Sequence, residues 1–286
     1  MLKKKCLLVV NKFAGNYRAT DEETIKKSIG DEYELTVLYV SDETDSVTRI
    51  EGYDLVVVSG GDGTLNRLIN RDIASGTEVR YYPSGTLNEA ADKRARRKRT
   101  ISAVGSAEGR LFTYVLAAGT FTPLGYVVDF KKKQRFKALA YIARVVKEYK
   151  VNRMPAKLVA DGKKYEGVYT LIMIINSPRC FGFRFNRMYR DGGPMCLLTI
   201  RAPKTTGFFG KVAIFFPFFR TFFMGFGKPH FGKTVTFTPF NKLDVELAED
   251  VVFCADGEAV DDLNRHFTVK VTELNYKLKV AGSRRG

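Results

Sequence analysis

The sequence predicts an α/β protein in two parts, an N-terminal domain with a mostly parallel sheet and a C-terminal β-sandwich domain. Three observations support this fold class. Strand-like and helix-like segments alternate over the first 120 or so residues, strand-like segments joined by turns follow, and two early strands end in glycine-containing turns. We therefore place the first domain at residues 1–120 and the second at 121–286, with the last residues able to return to the first domain.

The N-terminal segments follow one another as βα units do. Apolar runs predict the strands, and the first helix carries acids before basic residues, an order that suits the helix dipole. In order, the predicted elements are a strand at 7–10, a helix at 21–29, strands at 33–40 and 55–59, a helix opening at 65–70, a strand at 78–82 and a helix from residue 87. Ligands of parallel sheets bind at the carboxyl ends of the strands, where both glycine turns lie.

The C-terminal segments are mostly strand-like. A helix predicted at 136–149 ends before Pro155, and the pair Asp161-Gly162 predicts a hairpin turn between two strands. The predicted strands are 156–160, 165–175, 195–200, 234–238, 243–248, 251–254 and 267–280, the last in one or two pieces. The sequence contains no low-complexity linker, so we expect the two domains to abut and form a cleft.

The net charge of +16 calls for an anionic partner or a role in solubility. Basic residues cluster at 93–99, at 131–137 and at both termini, with few aromatic residues between them, which argues against a nucleic-acid binder that stacks bases. An anionic lipid surface or an anionic metabolite agrees better with these clusters. For any one cluster alone, a solvated helix face is the simpler interpretation.

The cysteines and the start of the chain indicate the compartment. All four cysteines lie in apolar runs without C-x-x-C spacing, which favours buried reduced thiols in a cytosolic protein. The chain begins with basic residues and an apolar run, but this run is short and lacks a cleavage site. We therefore interpret it as a buried strand rather than a signal peptide.

A phenylalanine-rich segment at 208–231 contains ten of the 22 phenylalanines. Basic residues and a proline interrupt it, and its apolar stretches fall short of the roughly 20 residues that a spanning helix needs. It does not cross a bilayer. Three alternatives stay open: an element at the membrane interface, the wall of a pocket for acyl chains, or a segment packed on the core of the second domain.

The turn Gly60-Gly61-Asp62-Gly63-Thr64 carries the strongest functional signal. Its three glycines leave backbone N–H groups unshielded, and the helix that follows adds the positive end of its dipole, so the turn suits an anion, above all phosphate. Asp62 would repel that anion unless a divalent cation or a hydroxyl network lies between them. The alternative is a tight turn in which Asp62 and Thr64 only cap the helix.

Two further turns carry polar side chains that phosphate chemistry can use. The turn at 83–89 offers hydroxyl and amide groups for ribose, phosphate or a metal-bound water. The turn Asp256-Gly257-Glu258 follows an apolar strand, and one of its acids can act as a general base toward a hydroxyl. Each of these turns, taken alone, is equally compatible with an ordinary exposed turn.

Taken together and in this order, the motifs resemble the diacylglycerol kinase catalytic-domain family of lipid kinases, which includes sphingosine kinase-like and bacterial soluble members and is related to NAD kinases. Residues 11–15 match the family's N-P-x-A/S-G, 60–66 match G-G-D-G-T-x-N, 83–89 match P-x-G-T-x-N-D, and 256–258 match D-G-E. The resemblance covers nearly the whole chain. It implies an NAD kinase-like first domain for the nucleotide and a second domain for the lipid.

The resemblance implies ATP-dependent transfer of the γ-phosphoryl group to a lipid hydroxyl, with diacylglycerol as the default acceptor. Asp62 would hold Mg²⁺ through water, and either Asp256 or Glu258 would be the base, a choice that the family pattern leaves open. The residues implied to contact nucleotide are Asn11, Gly15, Ser41, Gly60, Gly61, Asp62, Gly63, Thr64, Asn66, Thr86 and Asn88.

The resemblance also implies a structural Mg²⁺ at Asp191, with Met188 and Gly193 as carbonyl donors. The chain departs from the family pattern at two motif positions. Lys12 replaces the usual proline and adds a charge that could meet phosphate, and Glu89 replaces the usual aspartate, which could shift the metal network.

We therefore expect a cytoplasmic lipid kinase that associates peripherally with anionic membranes through its basic and phenylalanine-rich segments. Two other readings stay open: a kinase of NAD or another small molecule, and a nucleotide- or nucleic-acid-binding module without catalysis. The phenylalanine-rich segment speaks against the former, and the D-G-E turn against the latter, since a binder needs no base. The sequence leaves the lipid acceptor and the oligomeric state open, a homodimer included.

Overall fold

The computed structural model describes residues 3–40, 49–86, 88–91, 99–120 and 151–281. The chain folds into two compact units: unit 1 is Met1–Val104 with Glu273–Gly286, and unit 2 is Gly105–Thr272. Among the described residues, the strand at Val115–Gly119 pairs with strands of unit 2, and the expected boundary at residue 120 stays a prediction. Ser41, the helix expected at 136–149 and the basic clusters at 93–98 and 131–137 lie outside the described residues.

Unit 1 contains a parallel sheet. In chain order, its elements are β1 (Lys4–Asn11), α1 (Ala19–Ile29), β2 (Tyr33–Val40), β3 (Arg49–Ile50), β4 (Leu55–Gly60), α2 (Asp62–Ile69), β5 (Asp72–Ile73) and β6 (Glu78–Pro83). The strands β2, β1, β4 and β6 lie side by side in that order and all run parallel, while β3 pairs with β5. The alternation of strands and helices follows the sequence prediction.

The central strand of this sheet, β4, is buried along its whole length. Strands covered on both faces are continuous apolar runs, which is why 55–58 gave a clear signal in the sequence. Helix α1 covers part of the sheet with Ile25 and Ile29, which join Cys6, Leu8 and Leu55 in one buried cluster. The parallel sheet therefore rests on a conventional apolar core.

Glu22, on α1, lies at the centre of a polar cluster. The Tyr17 hydroxyl donates to its Oε2 at 2.7 Å, and the Tyr39 hydroxyl donates to its Oε1, also at 2.7 Å. The Lys26 ammonium lies 2.9 Å from the same Oε1. Burial by itself raises the pKa of the Glu22 carboxyl, but the hydrogen bonds from Tyr39, Lys26 and Tyr17 outweigh it and lower this pKa to about 2.

This cluster predicts an acid-sensitive contribution to stability. Because the pKa of Glu22 in the fold lies below its ordinary value of 4.5, the contribution is complete above that value and is lost as the pH falls toward about 2. We expect Glu22→Gln to lose less free energy of unfolding than the wild type between about pH 5 and about pH 2. Urea denaturation at successive pH values measures this.

The neighbouring Glu23 provides the control, since its side chain is exposed and also meets Lys26, at 3.2 Å. Glu23→Gln should leave the hydrogen bonds to the Glu22 carboxylate in place and keep the acid-sensitive contribution of Glu22. A Glu22→Gln protein with the full wild-type dependence would contradict the assignment.

The helix expected from residue 87 is wrong over the described residues 88–91, which form a turn. Asn88 has φ 51°, outside the helical region, and the amide groups of Glu89 and Ala90 donate to the distant Asp62 carboxylate instead of to helical carbonyls. The hydrogen bond from Glu89 to Asp62 joins residues 27 positions apart, and it outweighs the local preference of residues 88–91 for a helix.

Unit 2 is dominated by antiparallel strands, the first and last of which continue into unit 1. In chain order, its elements are β7 (Arg99–Ala107), β8 (Arg110–Phe112), β9 (Val115–Gly119), β10 (Met154–Ala160), β11 (Lys163–Ile175), β12 (Met195–Arg201), α3 (Phe208–Phe219), a π-helical turn (Arg220–Met224), β13 (His230–Phe231), β14 (Val235–Phe240), β15 (Lys242–Leu247), β16 (Phe253–Ala255), β17 (Glu258–Val260) and β18 (His266–Val280). The strands at 99–119 correct the expectation that βα alternation continues to residue 120.

The strands of unit 2 pair in the order β13, β14, β12, β11, β10, β15 and β18, all antiparallel. Strand β9 pairs with β11 and β16. Strand β18 is one continuous strand, and its residues 277–280 lie in unit 1, where they pair in parallel with β6. The mixed, sheet-dominated α/β fold is therefore confirmed, while the packing of two sheets as a sandwich stays a prediction.

The hairpin turn at Asp161-Gly162 is confirmed. Both residues have positive φ, 44° and 83°, as a tight hairpin turn requires. The Asp161 carboxylate accepts hydrogen bonds from the backbone amides of Asn241 and Lys242 at 3.0 Å and 2.9 Å. This exposed carboxylate therefore binds two successive amides.

Candidate active site

Three turns meet at the carboxyl ends of the parallel strands of unit 1. They follow β1, β4 and β6 and contain the motifs at 11–15, 60–66 and 83–89. From β1 the chain passes to β2 on one side and to β4 on the other, so the first two turns flank the point where the strand order reverses. Parallel sheets bind their ligands at this point.

Hydrogen bonds join the three turns into one structure. The Asn11 side-chain amide donates to the Thr64 hydroxyl at 2.9 Å. The backbone N–H of Asn16 donates to the Ser84 carbonyl at 2.8 Å, and its side-chain amide donates to the Gly85 carbonyl at 2.5 Å. Asn16 was missed by the sequence analysis, although it directly follows Gly15 of the first motif.

The second and third turns touch through their glycines. A Cβ atom on Gly85 would collide with the Gly61 Cα and would come within 2.7 Å of the Asn88 Oδ1. The Ser84 N–H also donates to the Gly60 carbonyl at 2.8 Å. Glycine is therefore required at position 85 because two backbones approach each other there.

Helix α2 begins at Asp62, three residues before the predicted opening at Leu65. Asp62, Gly63 and Thr64 thus form its first turn, in which backbone N–H groups have no acceptor within the helix. These groups and the positive end of the helix dipole make the turn suitable for a phosphate. Asn66, by contrast, is fully buried inside α2, where its Oδ1 lies 3.3 Å from the Asn70 side-chain amide.

The Asp62 carboxylate is turned toward the third turn and is only 9% exposed. Its Oδ2 accepts a hydrogen bond from the Glu89 amide at 2.7 Å, and its Oδ1 accepts one from the Ala90 amide at 3.1 Å. These two donors offset the negative charge that Asp62 would otherwise bring to an anion site. Asp62 thus links the second turn to the third, and these two hydrogen bonds fix the position of its carboxylate.

The same region offers oxygen atoms to a hard cation. Asn88 is buried, and its Oδ1 has no hydrogen-bond partner among the described residues, while its side-chain amide donates to the Gly85 carbonyl at 2.8 Å. Oxygen ligands of carboxylate and amide type are those that Mg²⁺ prefers. Within the described residues, no group of three or more His, Cys, Asp or Glu side chains could hold a metal ion.

The first turn carries the cationic Lys12 where the family pattern has proline. Its ammonium lies 3.6 Å from the centroid of the Tyr39 ring, a cation–π contact. Because the Tyr39 hydroxyl binds Glu22, the polar cluster on α1 extends to the first turn. Gly15 lies in this turn, and Thr86 follows Gly85 in the third.

In unit 2, the D-G-E turn is held by one of its acids. Asp256 has φ 52° and is only 1% exposed. Its Oδ2 accepts hydrogen bonds from the Thr113 amide and hydroxyl at 2.5 Å and 2.8 Å, and its Oδ1 accepts from the amides of Tyr114 and Val115 at 2.9 Å and 3.0 Å. Four donors therefore surround this carboxylate.

Glu258 has a different environment. It is the first residue of β17, opposite Ala255 in β16, and its side chain is partly exposed. The two acids of the motif thus differ in exposure, since Asp256 is enclosed and Glu258 reaches solvent. The sequence analysis missed Thr113 and Tyr114, which lie between β8 and β9, and Val115, the first residue of β9; none of the three belongs to a motif.

The second predicted Mg²⁺ site falls on an exposed turn of unit 2. The Tyr189 hydroxyl donates to the Asp191 Oδ1 at 2.9 Å, and the Gly193 N–H donates to the Arg190 carbonyl at 3.0 Å. Met188 begins the same turn, where its N–H donates to the Asn186 Oδ1. A cation at this turn stays a prediction.

Comparison with known proteins agrees with these motifs. The diacylglycerol kinase catalytic domain matches residues 5–110. A protein of Streptococcus pneumoniae serotype 4, named provisionally as a lipid kinase, is 22% identical over 200 residues, which cover 60% of this chain and 66% of that protein, just under two thirds. A diacylglycerol kinase of Bacillus subtilis is 23% identical over 228 residues, which cover 72% of this chain and 71% of that protein.

The fold is shared with solved structures. A crystal structure from Bacillus anthracis str. Sterne, named provisionally as a diacylglycerol kinase, has a TM-score of 0.67 at 17% identity, and the match covers 96% of each chain. The three turns joined at the end of the parallel sheet all lie within the matched residues 5–110. Residues 5–110, which contain all three turns, therefore match the diacylglycerol kinase catalytic domain, and the chain as a whole shares its fold with the solved structures.

Proposed function

We propose that the protein is an ATP-dependent lipid kinase that transfers the γ-phosphoryl group to the hydroxyl of diacylglycerol and so forms phosphatidic acid. The observation that carries the proposal is the junction of the three turns, where Asp62 binds the amides of Glu89 and Ala90 at the point of reversed strand order. Phosphoryl transfer depends mainly on positioning and on neutralising charge, and such a junction serves both.

The nucleotide would bind along this junction. The N–H groups at the start of α2 would donate to phosphate oxygens, and the absence of side chains at Gly60, Gly61 and Gly63 would let the phosphates approach the backbone. The Asn11 side chain would support this turn through Thr64. Lys12, which lies in the first turn, would offer a positive charge to the same phosphates.

The residues present are compatible with Mg²⁺. Asp62, Asn88 and Glu89 can each offer an oxygen ligand, and within the part of the chain that the structure describes the buried Asn88 Oδ1 has no hydrogen-bond partner. When bound, Mg²⁺ neutralises phosphate charge. Asp62 would meet the ion through water, because its two oxygens already accept backbone hydrogen bonds.

Glu258 is the better candidate for the base. In the reaction, the acceptor hydroxyl gives its proton to a carboxylate, its oxygen forms a bond to the γ-phosphorus, and the bond from that phosphorus to the β,γ-bridging oxygen breaks to release ADP. Asp256 accepts four hydrogen bonds and is enclosed, whereas Glu258 is partly exposed. Asp256 would hold the turn that presents Glu258.

The proposed enzyme is cytoplasmic and peripherally associated with membranes. Its acceptor is a membrane lipid, and its net charge of +16 favours anionic lipid surfaces. Within the described residues, no helix has the length and apolar character that crossing a bilayer demands.

The direct test supplies the purified chain with labelled ATP, Mg²⁺ and one acceptor at a time: diacylglycerol, ceramide, sphingosine, undecaprenol or NAD. We expect label in phosphatidic acid, and we expect chelation of the metal to abolish it. Label that appears in another lipid phosphate would keep the reaction type and change the acceptor. Label confined to NADP would overturn the lipid kinase proposal.

A further inference from the structure

Helix α3 and the π-helical turn after it carry an exposed apolar stripe. Its residues are spaced three or four apart, so they lie on one side of the helix. The phenylalanine stripe consists of Phe208, Val212, Phe216, Phe219 and Phe223, all of them exposed. Soluble surfaces rarely present so many contiguous aromatic side chains, and such a patch indicates a partner or a membrane.

The opposite side of the helix fixes it to unit 2. Gly210, Ile214 and Thr221 are buried there. A Cβ atom on Gly210 would collide with the Thr205 carbonyl, so the backbone of α3 lies directly against the preceding loop. One side of α3 thus packs against unit 2, and the opposite side, which carries the stripe, is exposed.

A neighbouring loop supports the π-helical turn. The ring of Phe222 lies 5.0 Å from that of Phe185, and the ring of Phe223 lies 4.9 Å from that of Phe183. The Arg187 guanidinium also donates to the Met224 carbonyl at 2.9 Å. These contacts hold the stripe in place before any partner binds, which lowers the entropic cost of binding.

The stretch of sequence that carries the stripe has charged side chains of one sign. The sequence contains no acidic residue between Asp191 and Asp244. The basic residues in that interval are Arg201, Lys204, Lys211, Arg220, Lys228, Lys233 and Lys242. Arg220 and Lys211 lie on α3 and the turn that extends it, next to the stripe.

We propose that the phenylalanine stripe inserts into the interface of an anionic lipid layer, with α3 lying along the surface and its basic neighbours on the lipid headgroups. Aromatic side chains flanked by lysine and arginine match the two parts of this interface, an apolar layer below a negatively charged one. The inference rests on the proposed function in one respect: the lipid layer is taken to be the membrane that supplies the lipid substrate.

Insertion can be detected with a single tryptophan, because the chain contains none. Phe216 is 69% exposed and Phe13, on unit 1, is 68% exposed, so Phe216→Trp and Phe13→Trp form a matched pair. With vesicles of phosphatidylcholine and phosphatidylglycerol, and without nucleotide, Phe216→Trp should shift its emission to the blue and be quenched by brominated acyl chains. Phe13→Trp should show neither change.

A second variant separates insertion from electrostatic attraction. Phe208→Gln/Phe216→Gln removes two exposed rings, and we expect its partition coefficient for these vesicles to fall at least about tenfold. The salt dependence of its residual binding should match the wild type, because the basic residues remain. Arg220→Glu should weaken binding at low salt and leave the depth of quenching unchanged.

Activity assays separate this inference from the proposed function. Phe208→Gln/Phe216→Gln should phosphorylate a water-soluble short-chain diacylglycerol at the wild-type rate and lose activity only on vesicles. Unchanged vesicle binding by this variant would overturn the insertion. The insertion would also be overturned if the wild-type protein is a dimer that does not bind vesicles and the variant is a monomer. The stripe would then join two copies of the chain. A kinase inactive on every lipid, with quenching of Phe216→Trp retained, would overturn the function alone.

Discussion

Substitution of Asp62 by asparagine is expected to reduce ATP-dependent phosphorylation by at least about a hundredfold, since it removes a charge from the site where phosphate and metal would meet. Asparagine keeps one oxygen for the amides of Glu89 and Ala90 but presents an NH₂ group to the other. Alanine would leave both buried amides without their acceptor, at a cost of about 1–3 kcal/mol each. The loss of activity should be complete in Asp62→Ala, with a lower melting temperature.

Asp161→Asn is the matched control, because Asp161 also binds two successive backbone amides, in a hairpin outside the motifs. It should lose some stability and keep wild-type kcat. Initial rates with labelled ATP and thermal unfolding of each variant provide the two readouts. Wild-type activity in Asp62→Asn would refute the assignment of this residue to the site.

Glu258→Gln is expected to lower kcat by about 10²- to 10⁴-fold, the range for loss of a general base. Its melting temperature should stay near the wild-type value, because the Glu258 side chain is partly exposed. Asp256→Asn should instead lower the melting temperature, since it disturbs four hydrogen bonds to Thr113, Tyr114 and Val115.

The dependence of kcat on pH distinguishes the two roles. A missing base removes the acidic limb of the profile, so Glu258→Gln should lose that limb while Asp256→Asn keeps it with lower amplitude. If Asp256→Asn loses the limb and melts like the wild type, Asp256 is the base and the roles are reversed.

The strands of the parallel sheet were predictable because their signal is local. Strand β4 differs from its prediction by one residue, because its buried apolar run ends at a polar residue and a glycine. Strand β2, whose residues are exposed or partly exposed, has the predicted bounds. The sequence predicts that α2 opens at Leu65, because the glycines before it are typical of a turn. The helix begins at Asp62 and includes Gly63 in its first turn.

The support of the site was not predictable, because it depends on distant residues. Asp256 meets Thr113 across 143 positions of sequence, and Thr113 belongs to no motif. Asn88 leaves the helical region because Asp62 binds the amides that follow it. Motifs therefore predict the residues of the site, whereas contacts between turns decide how exposed each of them is.

The phenylalanine stripe also governs how the protein behaves away from lipid. Like charges keep molecules of net charge +16 apart in dilute buffer, and added salt shortens the range of that repulsion. The exposed rings then meet one another, and their attraction does not weaken with salt. Solubility should thus decline as ionic strength rises, so low-salt buffers or mild detergents suit purification and storage, whereas salting the protein off a column favours precipitation.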